Sequence, residues 1–149
     1  MRLLALALAL LLLPSLALAA PGEPRPVLTL EEPEASWEGA HVVAGAGVHA
    51  AACVRLTCER FPFHASFPVA APPTPGLHAS IEWPSAEDDF DLYLYDGWGL
   101  LVTSGTQRGS STEGLRVPEL KPGDYTLVVV PVLVTESAYV GSVRLLPME

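Results

Sequence analysis

The chain has 149 residues, 17 Asp plus Glu against 8 Lys plus Arg, a formal net charge of −9 and half its residues apolar. That length suits a single domain. An acidic excess with one lysine, Lys121, and arginines scattered singly along the sequence (Arg25, Arg55, Arg60, Arg108, Arg116, Arg144) excludes a nucleic-acid-reading surface.

In chain order, the first twenty residues (MRLLALALALLLLPSLALAA) read as a secretory signal. Arg2 is the charged region, Leu3 to Leu13 the apolar run, Pro14 its end and Ala17-Leu18-Ala19 the cleavage site. The run is too short to span a bilayer, and Ala20 stands where a lipoprotein carries Cys. The expected organisation is a signal peptide over residues 1–19, a flexible lead-in over 20–35 and one domain over 36–149. The expected location is secreted or periplasmic. Later in the chain no stretch reaches spanning length; the longest apolar run, Leu127 to Val134, is interrupted by Pro131.

Val27–Leu30 is a short strand candidate, followed by the acids Glu31, Glu32 and Glu34. From Ser36 to Ala52 no period is legible beyond a β-like His41-Val42-Val43. After that a two-residue period takes over. Phe61, Phe63, Ala65 and Phe67 alternate with Pro62, His64 and Ser66, and Pro62 marks an edge strand or a bulge. Leu77, Ala79, Ile81 and Trp83 alternate with His78, Ser80 and Glu82, then Phe90, Leu92 and Leu94 with Asp91, Tyr93 and Tyr95. Further strands are expected at Leu100–Thr103, Leu115–Val117, Tyr125–Val134 and Ala138–Leu145, separated by Gly-containing turns. Fifteen prolines, twelve glycines and no amphipathic helix between strands point to an all-β antiparallel β-sandwich.

Two cysteines, Cys53 and Cys58, stand as C-x4-C. In an exported chain such a pair is expected to form a disulfide. Zinc would need a second pair of ligands, and His41, His49, His64 and His78 are spaced too widely to supply it. With no asparagine there is no N-glycosylation sequon.

The stretch Glu87-Asp88-Asp89-Phe90-Asp91 carries the densest chemistry. On a strand Asp89 and Asp91 share one face, with Asp88 in the preceding turn. Asp88, Asp89 and Asp91 are therefore the candidate metal ligands and calcium the candidate cofactor, since calcium takes hard oxygen ligands. The competing reading is that these acids keep a sheet face solvated and discourage edge pairing. Trp83 shares the apolar phase and belongs to the core. Trp98, between Gly97 and Gly99 at a loop tip, is the candidate binding residue, because an exposed tryptophan stacks well on sugars or partner side chains; the competing reading is that it folds back over the sandwich end. Leu120-Lys121-Pro122-Gly123-Asp124-Tyr125 reads as a tyrosine corner, a structural device. No Gly-x-Ser-x-Gly, His-Glu-x-x-His or phosphate loop occurs, so no enzyme is expected.

Asp89-Phe90-Asp91-Leu92-Tyr93-Leu94-Tyr95-Asp96-Gly97, Leu120-x-Pro122-Gly123-x-Tyr125-Thr126-Leu127-Val128-Val129 and Tyr139-x-x-Ser142-Val143 together resemble the bacterial pre-peptidase C-terminal domain family. Its members are small modules usually attached to secreted proteases. The resemblance covers roughly Phe61 to Leu145. It implies a jelly-roll-like sandwich with a binding or accessory role, sometimes involving calcium or extracellular polymers. The calcium ligands of the collagen-binding relatives have no residue-by-residue counterpart here. The resulting expectation is an exported binding or accessory module whose partner is an extracellular protein or polysaccharide, with calcium as an aid. The alternative is a structural cell-envelope protein acting through its sheet edges, and a hydrolase built on Asp89 and Asp91 ranks third.

Overall fold

The computed structural model describes residues 25–41, 58–69, 74–134 and 137–147. Among the described residues nine strands follow one another: β1 (Val27–Leu28), β2 (Glu34–His41), β3 (Glu59–Ala65), β4 (Gly76–Glu82), β5 (Asp89–Asp96), β6 (Leu101–Gly105), β7 (Thr112–Val117), β8 (Gly123–Leu133) and β9 (Ser137–Leu146). They form two sheets, a five-stranded one in the order β1-β3-β8-β5-β6 and a four-stranded one in the order β2-β9-β4-β7. All pairings are antiparallel except β1 with β3. The expected all-β sandwich is what the chain forms. Among the described strands only β5 and β6 are both consecutive and adjacent; every other successive pair lies in different sheets. No helix among the described residues is long and apolar enough to cross a membrane.

The period-two pattern builds the core. Leu77, Ala79 and Ile81 from β4, Phe90, Leu92 and Leu94 from β5, and Leu127 and Val129 from β8 are buried between the sheets. Trp83 joins them; its ring meets Phe90 at 5.1 Å, and its Nε1 donates to the Asp88 carbonyl at 3.0 Å. That bond satisfies a donor that would cost about 1–3 kcal/mol if buried alone. Phe90 in turn meets Tyr139 at 5.6 Å. Tyr125 sends its hydroxyl to the Lys121 carbonyl at 2.8 Å, the tyrosine corner expected from the sequence. Glu113 is the exception in the inward phase of β7: its buried carboxylate accepts from the Gln107 and Gly114 amides and closes the β6–β7 corner.

The sandwich begins inside the segment read as a flexible lead-in. Leu28 is 1% exposed and belongs to the core, and β1 is held to β3 by bonds from His64 N–H to the Pro26 carbonyl and from Ser66 N–H to the Leu28 carbonyl. Because β1 covers only the end of β3, Pro62 faces β8 alone, the edge position a proline tolerates. The segment from Ser36 that showed no period contains most of β2. Its inward positions are Ala35, Trp37 and Gly39, too small and mixed to register as an apolar phase. Gly39 lies opposite Tyr139, and Trp37 opposite Gly141. A Cβ on either glycine would coincide with the facing ring. Trp37 also stacks on Phe61 at 4.3 Å, which ties β2 to the other sheet.

Cys58 is buried against Val128 and Val130 on the outer side of the five-stranded sheet. Its expected partner Cys53 lies outside the described residues, as does the signal segment.

Gly141→Ala is expected to destabilise the domain by about 1–3 kcal/mol, the usual cost of overpacking. Gly114→Ala, whose new methyl meets only ordinary contacts, should stay within about 0.5 kcal/mol of the parent. Urea unfolding of the two variants side by side checks the claim, and equal midpoints would remove the interlock.

Candidate functional site

The β5–β6 turn is built by one carboxylate. Asp96 Oδ1 accepts the Trp98 amide at 3.0 Å and the Leu100 amide at 2.9 Å. Backbone bonds from Asp96 N–H to the Leu100 carbonyl and from Gly99 N–H to the Asp96 carbonyl close the loop. An Asp at this position makes the turn through its own side chain. The result is a fixed tip that holds Trp98 outward, 88% exposed. Leu100, Leu101 and Val102 follow it, all exposed. These exposed apolar side chains line the turn and the edge strand β6, and Trp98 and Val102 wall one cleft, an apolar patch of the kind that marks an interaction site.

The tip stands between two clefts. One, about 600 Å³, is walled by Trp98, Val102, Val117, Glu119 and Lys121. The other, about 530 Å³, is walled by Tyr95, Arg25, Arg60, Asp124 and Thr126. In the second cleft Asp124 Oδ1 lies 2.6 Å from His64 Nδ1 and 3.1 Å from an Arg25 nitrogen. His64 and Asp124 are register partners on β3 and β8. The hydrogen bond with His64, and secondarily the charge of Arg25, hold the Asp124 carboxyl below its ordinary range. This group links residues far apart in sequence, so no local pattern announces it. The apolar run Leu100-Leu101-Val102 was the signal for the patch, since consecutive apolar residues on a strand cannot all face inward.

The acidic stretch is arranged differently from a single metal cage. Asp88 is buried in the β4–β5 turn, where its backbone N–H donates to the Ser85 carbonyl and its own carbonyl takes the Trp83 indole. Asp91 accepts the Tyr93 hydroxyl at 3.0 Å. Burial, then the bond and charge of Asp91, push the Tyr93 hydroxyl up to about 12. Asp89 Oδ1 is buried without a hydrogen-bond partner. Among the described residues no three acids, histidines or cysteines gather as a metal-holding group, whereas calcium takes six to eight oxygens.

No family model matches the sequence, and no curated protein matches it. Among solved structures, the fold is similar to that of the pre-peptidase C-terminal domain of a collagenase from Bacillus anthracis. The TM-score is 0.53 at 12% identity, over 83% of this chain and 100% of that one. The two share the sandwich architecture.

Because Asp124 is depressed in the folded state, its contribution is complete above the unfolded carboxylate value of about 3.9 and is lost as pH falls through the folded value. The stability gap between the parent and Asp124→Asn should therefore shrink on acidification below about pH 4. Thermal melts across that range check it; a gap independent of pH would dissociate Asp124 from the His64–Arg25 group.

Proposed function

We propose that this protein is an exported, non-catalytic binding module that recognises an extracellular protein or glycan through the Trp98 tip. The observation that carries the reading is the exposure of Trp98 on a turn fixed by Asp96. A rigid aromatic loses little freedom on binding, so most of its contact energy is retained. The likeness of fold to the pre-peptidase C-terminal domain of a collagenase supports a binding role of this kind. A non-catalytic role agrees with the state of the two strand carboxylates, since Asp91 is engaged by Tyr93 and Asp89 buries one oxygen. An oxidising compartment suits a Cys53–Cys58 disulfide and the signal-like leader.

The alternative, a structural envelope protein acting through its sheet edges, is favoured by Leu101 and Val102, which are exposed on the edge strand β6. One experiment separates the two. Trp98→Ala should weaken capture of extracellular-matrix and cell-wall polymers at least tenfold while the protein sediments as a monomer. A stable oligomer with unchanged capture favours the edge reading.

Calcium assistance is separable from either. Its support is the partnerless Asp89 Oδ1 on the same sheet face as Asp91. If calcium binds there, saturation at a hundred times the dissociation constant adds about 2.7 kcal/mol, seen as a rise of several degrees in the melting midpoint. The double variant Asp89→Asn, Asp91→Asn should abolish that rise. Identical melts in calcium and in chelator retire calcium and leave the tip untouched.

A further inference from the structure

The arginines that look isolated in the sequence are brought together by strand register. On the four-stranded sheet Arg144 pairs with His78, and His78 pairs with Arg116. Each occupies the strand phase opposite the buried Val143, Leu77 and Val117, so the three form a basic row on the outer face. Glu34 ends the row on β2, and Glu119 shares a hollow with Arg116 at the other end. One step along the strands lies a row of Ser36, Ser142, Ser80 and Gly114. There Ser80 and Ser142 join hydroxyls at 3.2 Å. The next row carries Glu38 and Glu82 on either side of Val140.

Adjacent strands are about 4.8 Å apart, so Arg144 and Arg116 stand roughly 10 Å apart across β4, and successive rows about 7 Å apart. Both arginines are exposed. Among the described residues the ion pairs are those of Asp124 with Arg25 and His64, so neither Arg116 nor Arg144 is engaged in one. Gly114 leaves the floor of the serine row open beside the His78 ring.

We propose that this face binds a linear acidic polysaccharide carrying a carboxylate on every second sugar, laid across the strands. Arg144 and Arg116 each take one carboxylate, in the two-pronged geometry that guanidinium groups favour. The serine hydroxyls meet the hydroxyls of the chain. Charge density selects the ligand class. A nucleic acid presents a negative charge about every 1.7 Å; it would find two arginines here and be repelled by Glu38, Glu82 and the net charge of −9. A sparsely charged chain meets the arginines and spaces its neutral sugars over the serines.

This surface is distinct from the Trp98 tip, and so is its test. The signal-free chain, residues 20–149, is titrated calorimetrically with a hyaluronan octasaccharide, whose uronates alternate with neutral sugars. The expected result is saturable binding, weakened about tenfold or more by Arg116→Ala and by Arg144→Ala and unchanged by Arg108→Ala, an exposed arginine outside the row. Melting midpoints equal to the parent's confirm that the variants are folded. No binding by the parent overturns the proposal, as does binding insensitive to both arginines. Tighter binding of a heparin octasaccharide also overturns it, because attraction would then follow charge density alone.

Discussion

The ladder between β2 and β9 places Gly39 against Tyr139 and Gly141 against Trp37, and each ring fills the space that a Cβ would take. Much of the sandwich is organised from this exchange. Tyr139 reaches Phe90 in the opposite sheet, Phe90 meets Trp83, and Trp83 fastens the turn before β5 through the Asp88 carbonyl. On the other side Trp37 stacks on Phe61, while the Tyr139 hydroxyl donates to Glu59 at 2.5 Å. Burial, reinforced by that carboxylate, keeps the Tyr139 hydroxyl protonated far above the ordinary tyrosine range. Aromatic contacts of this kind contribute about 0.5–1.5 kcal/mol each beyond their burial. Here they also tie the sheets to each other, because Tyr139 with Phe90 and Trp37 with Phe61 are contacts between strands of different sheets.

The site elements depend on that frame in different degrees. The Trp98 tip draws its shape from Asp96 and its own turn, so it is a nearly autonomous device mounted on β5 and β6. The His64–Asp124–Arg25 group exists only because β3 pairs with β8 and β1 lies beside β3. The basic row on the outer face depends on three strands from three parts of the chain keeping register, and a slip of one residue would turn its side chains inward.

The same distinction explains what was legible in the sequence. Strands β3 to β5 announce themselves through alternation and β7 to β9 as runs between turns, and Trp83 could be placed in the core from its phase alone. The turn chemistry of Asp96-Gly97 and the corner at Tyr125 are local, so they too were readable. Strand β2 was not, because its inward face is defined by what it receives from β9, and two small residues on that face carry no hydrophobic signal. The acids at 88, 89 and 91 were visible as a cluster; that one lies buried in a turn and another holds a tyrosine follows from packing. The arginine row was invisible for a simpler reason: 116 and 144 become neighbours of 78 only across hydrogen-bonded strands.

The order of the strands carries a consequence for how such a chain is made. The central positions of both sheets are filled late: β8 lies between β3 and β5, and β9 between β2 and β4. Until residues 123–146 are available, β3 and β5 have no common partner, and neither do β2 and β4. Topologies dominated by such distant pairings fold slowly. A polypeptide emerging from its N-terminal end therefore cannot complete either sheet before β8 and β9 have been made. Until then the pairings open to the described strands are those of β1 with β3, β4 with β7 and β5 with β6, three separate pieces that β8 and β9 afterwards join.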